Sequence, residues 1–371
     1  MNKKFLLGII VPLLVGCGQQ TPTGEGMITV KDMQNREVTI DLSNSNRIVC
    51  LGAGALRYYS YIGDMSKIVA VEEIDKAPFG VGTALRPYYH VNKDYFATLP
   101  TCGKGGPAAQ SPDYEAILAN NPNLIISFYS DASVNDEMAS TLNVPVVALK
   151  QDKYGVFGSE TLESFKLLGK VLNKENRANE LINYVKAAEN ELSKLTINNT
   201  TCYAGCIGNW GKTDLFGSYN DFPVFKYARV KNVLEGLSDL AHDKQVTIDA
   251  EKLVQLNPEK FFLDGSGLAG FLGDYKQNKA KYTALDAIKN GETYILLPYN
   301  AYYTNLEIQM MSTYYVASVI HQSNFESFNI ATKCNEILTA FLGKGNYDEM
   351  KEYSTSYGGY QKVNIENLIN E

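Results

Sequence analysis

Arginines placed beside tyrosines recur along this 371-residue chain. Arg57 precedes Tyr58, and Arg86 opens the run Arg86-Pro87-Tyr88-Tyr89-His90. Lys104, Gly105 and Gly106 set a cation beside backbone N–H groups, and Asn209-Trp210-Gly211-Lys212 sets a ring beside another cation. Asp264 and Ser266 follow, then Tyr299, Asn300, Tyr302 and Tyr303. A guanidinium holds a carboxylate or phenolate plane through paired hydrogen bonds, and an aromatic face stacks on a flat chelate. These residue types suit a cleft for a bulky, partly anionic, planar or metal-centred ligand. Each also has a plainer use. Tyrosine pairs fill cores, Gly-Gly-Pro makes turns, and arginines at helix starts sit in solvent.

Catalytic signatures are missing: there is no G-x-S-x-G elbow, no H-E-x-x-H and no G-x-x-x-x-G-K-[ST]. The three histidines, His90, His242 and His321, lie far apart in sequence, which disfavours a clustered zinc site. Forty-one acidic against 34 basic residues give a net charge of −7, the wrong sign for a nucleic-acid partner. Hydrophobic residues at 45% and charged residues at 20% describe a folded globular protein, not a disordered or multi-span one. The length suits two domains.

The elements that must position these residues follow from periodicity. Ile28–Asp32 and Glu37–Asp41 alternate apolar and polar and read as a hairpin. Buried strands are expected at Ile48–Leu51, Ile68–Val71, Leu124–Ser127 and Val144–Leu149, with helical stretches between them and a Gly-, Pro- and Tyr-rich loop reaching Gly106. Strand–helix alternation predicts an α/β fold with a parallel, doubly wound sheet. From Ser159 to Leu195 an apolar stripe at helical spacing runs without proline, which predicts one rod of roughly 55 Å. The strand pattern then restarts at Cys202–Ile207, Lys260–Leu263 and Thr293–Leu297, with closing helices at Glu307–His321 and Cys334–Leu342. The expected organisation is a first lobe over 28–158, a spine over 159–196, a second lobe over 197–345 and a tail over 346–371. Ligands of such sheets sit outside the carboxyl ends of the strands, so the clusters above fall in loops facing a cleft between lobes.

The N-terminus is an address. Lys3 and Lys4 precede an apolar run, Phe5–Val15, which is too short for a span of about twenty residues and has the size of a signal-peptide core. It ends Leu14-Val15-Gly16-Cys17, which resembles a bacterial lipoprotein signal, with Cys17 the lipidated residue and 18–27 a flexible tether. Five cysteines remain. Cys202 and Cys206 lie on one predicted strand, where four residues span about 13 Å and a disulfide needs Cα atoms within about 7 Å. That pair is expected to stay open.

One segment repeats. Ser111-Pro112-Asp113-Tyr114-Glu115-Ala116-Ile117-Leu118 through Asn121-Pro122 lies over Thr247-Ile248-Asp249-Ala250-Glu251-Lys252-Leu253-Val254 through Asn257-Pro258 without a gap, and a strand follows each copy. Ser111 and Thr247 read as N-caps, Pro112 as a first helical residue, and Asn-Pro as the stop. Two equivalent acidic helix tips suit a symmetric partner. With the signal cysteine, two lobes and a helical spine, the chain resembles the solute-binding lipoproteins of ABC importers, in the helix-spined class that delivers ferric siderophores, haem and corrinoids. The resemblance rests on Arg47-Ile48-Val49-Cys50-Leu51-Gly52-Ala53-Gly54, on Tyr114 to Ile126, and on Leu297-Pro298-Tyr299-Asn300 with Thr304-Asn305. It implies two Rossmann-like lobes joined by one long α-helix, a lipid-anchored extracytoplasmic monomer, no cofactor of its own, and an ABC permease dimer with its ATPase as partner. It also implies permease docking through Glu115 and Glu251, with Glu72 and Glu73 as second choices. The ligand-binding set is then Arg57, Tyr58, Arg86, Tyr89, Lys104, Gly105, Trp210, Lys212, Tyr299, Asn300, Tyr302 and Tyr303. Two rival readings stand beside it. One is a surface chelatase with a tyrosine, His90 or Asp264 as base, and the other binds bare ferric ion through Tyr89, Tyr302 and Tyr303.

Overall fold

The computed structural model describes residues 26–76, 85–106, 111–208, 214–237, 240 and 245–370. Four parallel strands make the first sheet, in the order Ile68–Ala70, Ile48–Leu51, Leu124–Ser127 and Val146–Ala148. Every residue of Ile48–Leu51 and Leu124–Ser127 is buried, as befits parallel strands covered on both faces. The hairpin Met27–Lys31 and Glu37–Asp41 docks beside the Val146 strand, where Met33 N–H donates to the Ala148 carbonyl at 3.1 Å. Arg36 adds a bond to the Val146 carbonyl at 2.7 Å. An edge that would otherwise invite pairing is thereby covered.

The second sheet runs Lys362–Val363, Thr293–Leu296, Lys260–Asp264, Asn198–Gly205 and Val230–Asn232, parallel except for the first strand. The tail, which has no role in the sequence reading, thus completes this lobe. Its Tyr360 is buried and shares a 2.8 Å hydrogen bond with the Ser312 hydroxyl. Cys202 and Cys206 remain unpaired, as do the buried Cys50, Cys102 and Cys334. The strand ends at Gly205, and Cys206 turns out of it at a φ of 63°.

The connector is not the single rod that the apolar stripe predicts. Two helices, Ser159–Val171 and Glu175–Ser193, meet at Asn173, whose φ is +53°. A Cβ built on Gly169 would lie 2.6 Å from the Ala178 Cβ, whereas residues nine apart in one helix are separated by about 13 Å. The stripe misleads because both helices bury one face in the same core, so their apolar positions run on across the break.

A second surprise is the helix Leu306–Ile320. Its residues from Leu306 to Ala317 are all buried, the mark of a helix enclosed on every side. Gln309 accepts from Val156 N–H at 2.9 Å and donates to the Tyr154 carbonyl at 2.9 Å, while Tyr314 donates to Glu191 at 2.7 Å. One apolar core runs from Ile48 and Tyr58 in the first lobe, through Phe165 and Val185, to Phe262 and Met311 in the second. The lobes are therefore fused along this helix.

Among the described residues, two of the longer helices escape the periodicity reading. Pro87–Thr98 lies where a loop is expected and starts with its proline in the first turn, and Gly265–Gln277 is masked by its glycines. The duplicated helices are shorter than their sequence copies and start later. Asp113 and Asp249, not Ser111 and Thr247, are the caps, accepting from Ala116 N–H at 3.0 Å and Lys252 N–H at 2.7 Å. Asn121 and Asn257 both take positive φ, 46° and 38°, so the repeat holds in conformation as well as sequence.

Gly169→Ala is expected to destabilise the chain by about 1–3 kcal/mol through overpacking against Ala178. A urea midpoint that falls with an unchanged slope would bear this out.

Candidate functional site

Loops at the carboxyl ends of both parallel sheets meet in one place. From the first lobe come Gly52–Gly54, Glu72, Phe128 and Tyr129. From the second come Tyr299 to Tyr303, which follow the strand Thr293–Leu296. Contact is direct: the Tyr303 ring lies 5.9 Å from Phe128, edge to face, and the Tyr302 hydroxyl donates to Glu72 at 2.6 Å.

Arg57 is turned into the interior. It is fully buried, and its guanidinium crosses between the lobes to the Tyr302 carbonyl (2.9 Å), the Ala301 carbonyl (2.6 Å) and Asn305 Oδ1 (2.9 Å). Asn305 in turn donates to the carbonyls of Leu85 (3.0 Å) and Pro298 (2.9 Å). Arg86 is buried as well, bonded to the Ile74 carbonyl at 2.7 Å and paired with Asp75 at 3.4 Å. It lies 4.9 Å over the Tyr89 ring. Tyr89 is buried between that cation and His90, and His90 sits 4.0 Å from the ring of Tyr353. Both arginines are spent on internal bonds.

Tyr58 is buried, packed 4.7 Å from Phe128 and hydrogen-bonded to Gln151 at 3.3 Å. Gly105 is a backbone requirement: its φ is +64°, and a Cβ there would come within 2.8 Å of Glu72 Cβ. Lys104 is exposed, and its carbonyl accepts from Ile74 N–H at 3.1 Å. Trp210, Lys212 and Cys17 lie outside the described residues.

The residues brought together with free faces are fewer. Tyr303 is 44% exposed. Asn300 bonds Tyr219 at 3.3 Å, and Tyr219 packs edge-on to the buried Tyr299 at 5.9 Å. Phe128, Tyr129 and Tyr219 join the set, and sequence reasoning passed over them. Phe128 and Tyr129 directly follow a strand correctly placed at Leu124–Ser127, a position that could have flagged them. Tyr219 ends a strand of three residues, too short to leave a period.

Two buried carboxyls bond the Tyr299–Tyr303 segment. Burial, then the neighbouring Asp75, pushes Glu72 up to about 7. Burial does the same for Asp264, to about 7, against bonds from Ser266 and from the Tyr299 N–H at 2.7 Å. Glu72 is thus no surface docking acid, while Glu73 beside it is exposed. Asp264 caps the helix Gly265–Gln277 and, like His90, is walled off from the cleft. Two of the three phenols proposed for a ferric site have separate engagements, Tyr302 with Glu72 and Tyr89 with the Lys76 carbonyl at 3.5 Å. Among the described residues, no group of three His, Cys, Asp or Glu side chains could hold a metal.

Glu115 and Glu251 are both exposed in the first turn of their matching helices. Among the described residues, no helix is long and apolar enough to cross a membrane.

Two α/β lobes with parallel-rich sheets thus meet through loops at the carboxyl ends of their strands. The family described as periplasmic binding protein matches residues 48–299, and the chain belongs to it. Its members are the extracytoplasmic solute-binding components of ABC transport systems. A periplasmic solute-binding protein from Veillonella parvula is similar at a TM-score of 0.67 and 15% identity, over 93% of this chain and 98% of that one. The molybdate-binding protein MolA of Haemophilus influenzae, solved with molybdate, gives 0.65 and 15%, over 85% and 98%. Helicobacter pylori CeuE, solved in a nickel–histidine complex, gives 0.60 and 15%, over 85% and 96%. At such identities the likeness is one of fold. No curated protein sequence matches.

The raised carboxyls set a pH dependence. Folded Glu72 and Asp264 keep protons that the unfolded chain releases near pH 4, so folding takes up protons between about pH 4 and 7 and stability falls across that window. Carboxylates held low, such as Glu292 and Asp274 at about 2, lose their contribution only below it. The melting temperature is expected to be higher at pH 5.5 than at pH 8.

Proposed function

We propose that this protein captures a metal chelate, such as a ferric siderophore, haem or a corrinoid, between its lobes and passes it to an ABC permease. The carrying observation is the aromatic corner at the lobe junction, where Tyr303 stands partly exposed beside Phe128. Flat or bulky chelates bind such surfaces by stacking. Because Arg57 and Arg86 are engaged internally, the corner favours a chelate of low net charge over a highly anionic catecholate complex. The metal-containing ligands of MolA and CeuE, molybdate and nickel with histidine, are in keeping with a metal-bearing cargo. The decisive experiment is native mass spectrometry with elemental analysis and an absorption spectrum on protein purified without its signal. One metal-bearing small molecule per chain is expected. Chemical conversion of that molecule during incubation would overturn the reading in favour of a chelatase.

Docking falls to Glu115 and Glu251, whose equivalent capped helices suit a two-fold permease. The variant Glu115→Ala with Glu251→Ala is expected to bind ligand with unchanged affinity and to lose uptake. A fall in affinity would remove the docking role. Lipid attachment at Cys17 tethers the protein outside the membrane. Cys17→Ala is expected to move the protein from the membrane fraction to the soluble one, read by fractionation and immunoblot.

A further inference from the structure

The segment that joins the lobes is strained. Tyr302 and Tyr303 take φ values of 49° and 78°, and a non-glycine residue in that region costs on the order of 1–3 kcal/mol. Two in succession persist only where neighbours hold them, and here the grip comes from the opposite lobe. Arg57 bonds the carbonyls of Ala301 and Tyr302 at 2.6 and 2.9 Å. Glu72, 3% exposed, accepts from the Tyr302 hydroxyl at 2.6 Å and from Gly52 N–H at 3.2 Å. Gly105 lets the 101–106 loop close over Glu72, since any side chain there would collide with it.

We propose that Arg57 and Glu72 are positioning residues that clasp the Ala301–Tyr303 hairpin to the first lobe, present Tyr303 to the cleft, and loosen their hold as the surroundings pass from acid to neutral pH. The groups facing Glu72 set the direction. The Asp75 carboxyl stands on the following helix, and Asp75 is itself held by Arg86 and by the Tyr88 hydroxyl at 2.5 Å. The Tyr302 phenol comes from the hairpin, the Cys50 thiol from the adjoining strand, the Cys102 thiol from the 101–106 loop, and the Tyr129 phenol from the same lobe, just after the strand Leu124–Ser127. No cation among the described residues bonds Glu72 directly. Closed, the carboxyl is dry, sits near another acid and titrates at about 7. Opened to water, it returns toward about 4.3. Closure therefore takes up a proton, and the clasp is tighter at pH 5.5 than at pH 8. A neutral Glu72 still accepts the Tyr302 bond and no longer buries a charge.

The inference rests on the solute-binding reading only in making Tyr303 a ligand contact, and its test needs no ligand. Spin labels on Glu115→Cys and Glu251→Cys report the separation of the two lobes by pulsed electron resonance. The five native cysteines of the folded domain are buried and shielded from the label. At pH 5.5 a single short distance is expected, shifting to a longer, broader distribution at pH 8. Glu72→Gln should keep the short distance at both pH values. Arg57→Lys, which loses the forked grip, should give the long distribution at both. If that variant fails to fold, Tyr302→Phe takes its place with the same expectation. A distance independent of pH in the parent, or a pH shift that survives Glu72→Gln, would overturn the proposal, as would a short distance retained by Tyr302→Phe at both pH values.

Discussion

One buried guanidinium fixes the Ala301–Tyr303 segment of the second lobe against the first. Arg57 leaves the first helix of one lobe and makes three hydrogen bonds to residues some 245 positions away in the other. Hydrogen bonds to a charged group contribute about 1.5–3 kcal/mol each when buried and well formed. That is the scale needed to hold two tyrosines in left-handed backbone, and it explains why so costly a conformation survives. A charge buried without such partners would be strongly destabilising, so the arginine and the hairpin require each other.

The cleft follows from that constraint. With Ala301 and Tyr302 pinned by their carbonyls, the Tyr303 ring is turned toward Phe128 and remains part-exposed, while the Tyr302 ring points inward to Glu72. Adjacent tyrosines thus divide the work, one locking the lobes and the other furnishing a surface. Behind them the buried helix Leu306–Ile320 takes over much of the joining role that the sequence assigns to the 159–196 segment. Its polar residues Glu307 and Gln309 are turned to the first lobe, where Tyr61 donates to Glu307 at 2.6 Å. An interface sealed by buried polar bonds and one continuous core permits small adjustments of lobe angle, not wide opening.

Much of this fold is legible in the chain. Short apolar runs at Ile48, Leu124, Lys260 and Thr293 give parallel strands because strands buried on both faces need no polar alternation. The repeat around Glu115 and Glu251 is legible because capping chemistry writes itself in Asp and Asn at fixed positions. The roles of Arg57 and Arg86 are not. A cation that binds backbone carbonyls from a distant segment looks the same, in sequence, as one that binds a ligand, since its acceptors carry no side-chain signature. The break at Asn173 is hidden for a related reason: two helices packed on one core share one apolar stripe. Glycines at 265, 267, 270 and 273 suppress the helix signal of Gly265–Gln277 although the chain folds there as a helix.

The central claim, that the aromatic corner between the lobes holds the solute, is tested most directly by a crystal structure of the protein with its co-purified ligand. Density for the ligand against Tyr303, Phe128 and Tyr219, with Arg57 still bonded to Ala301 and Tyr302, is the predicted result. Ligand seated elsewhere, for example in the groove of about 530 Å³ lined by Glu191, Phe325 and Phe328, with the corner unoccupied, would contradict it.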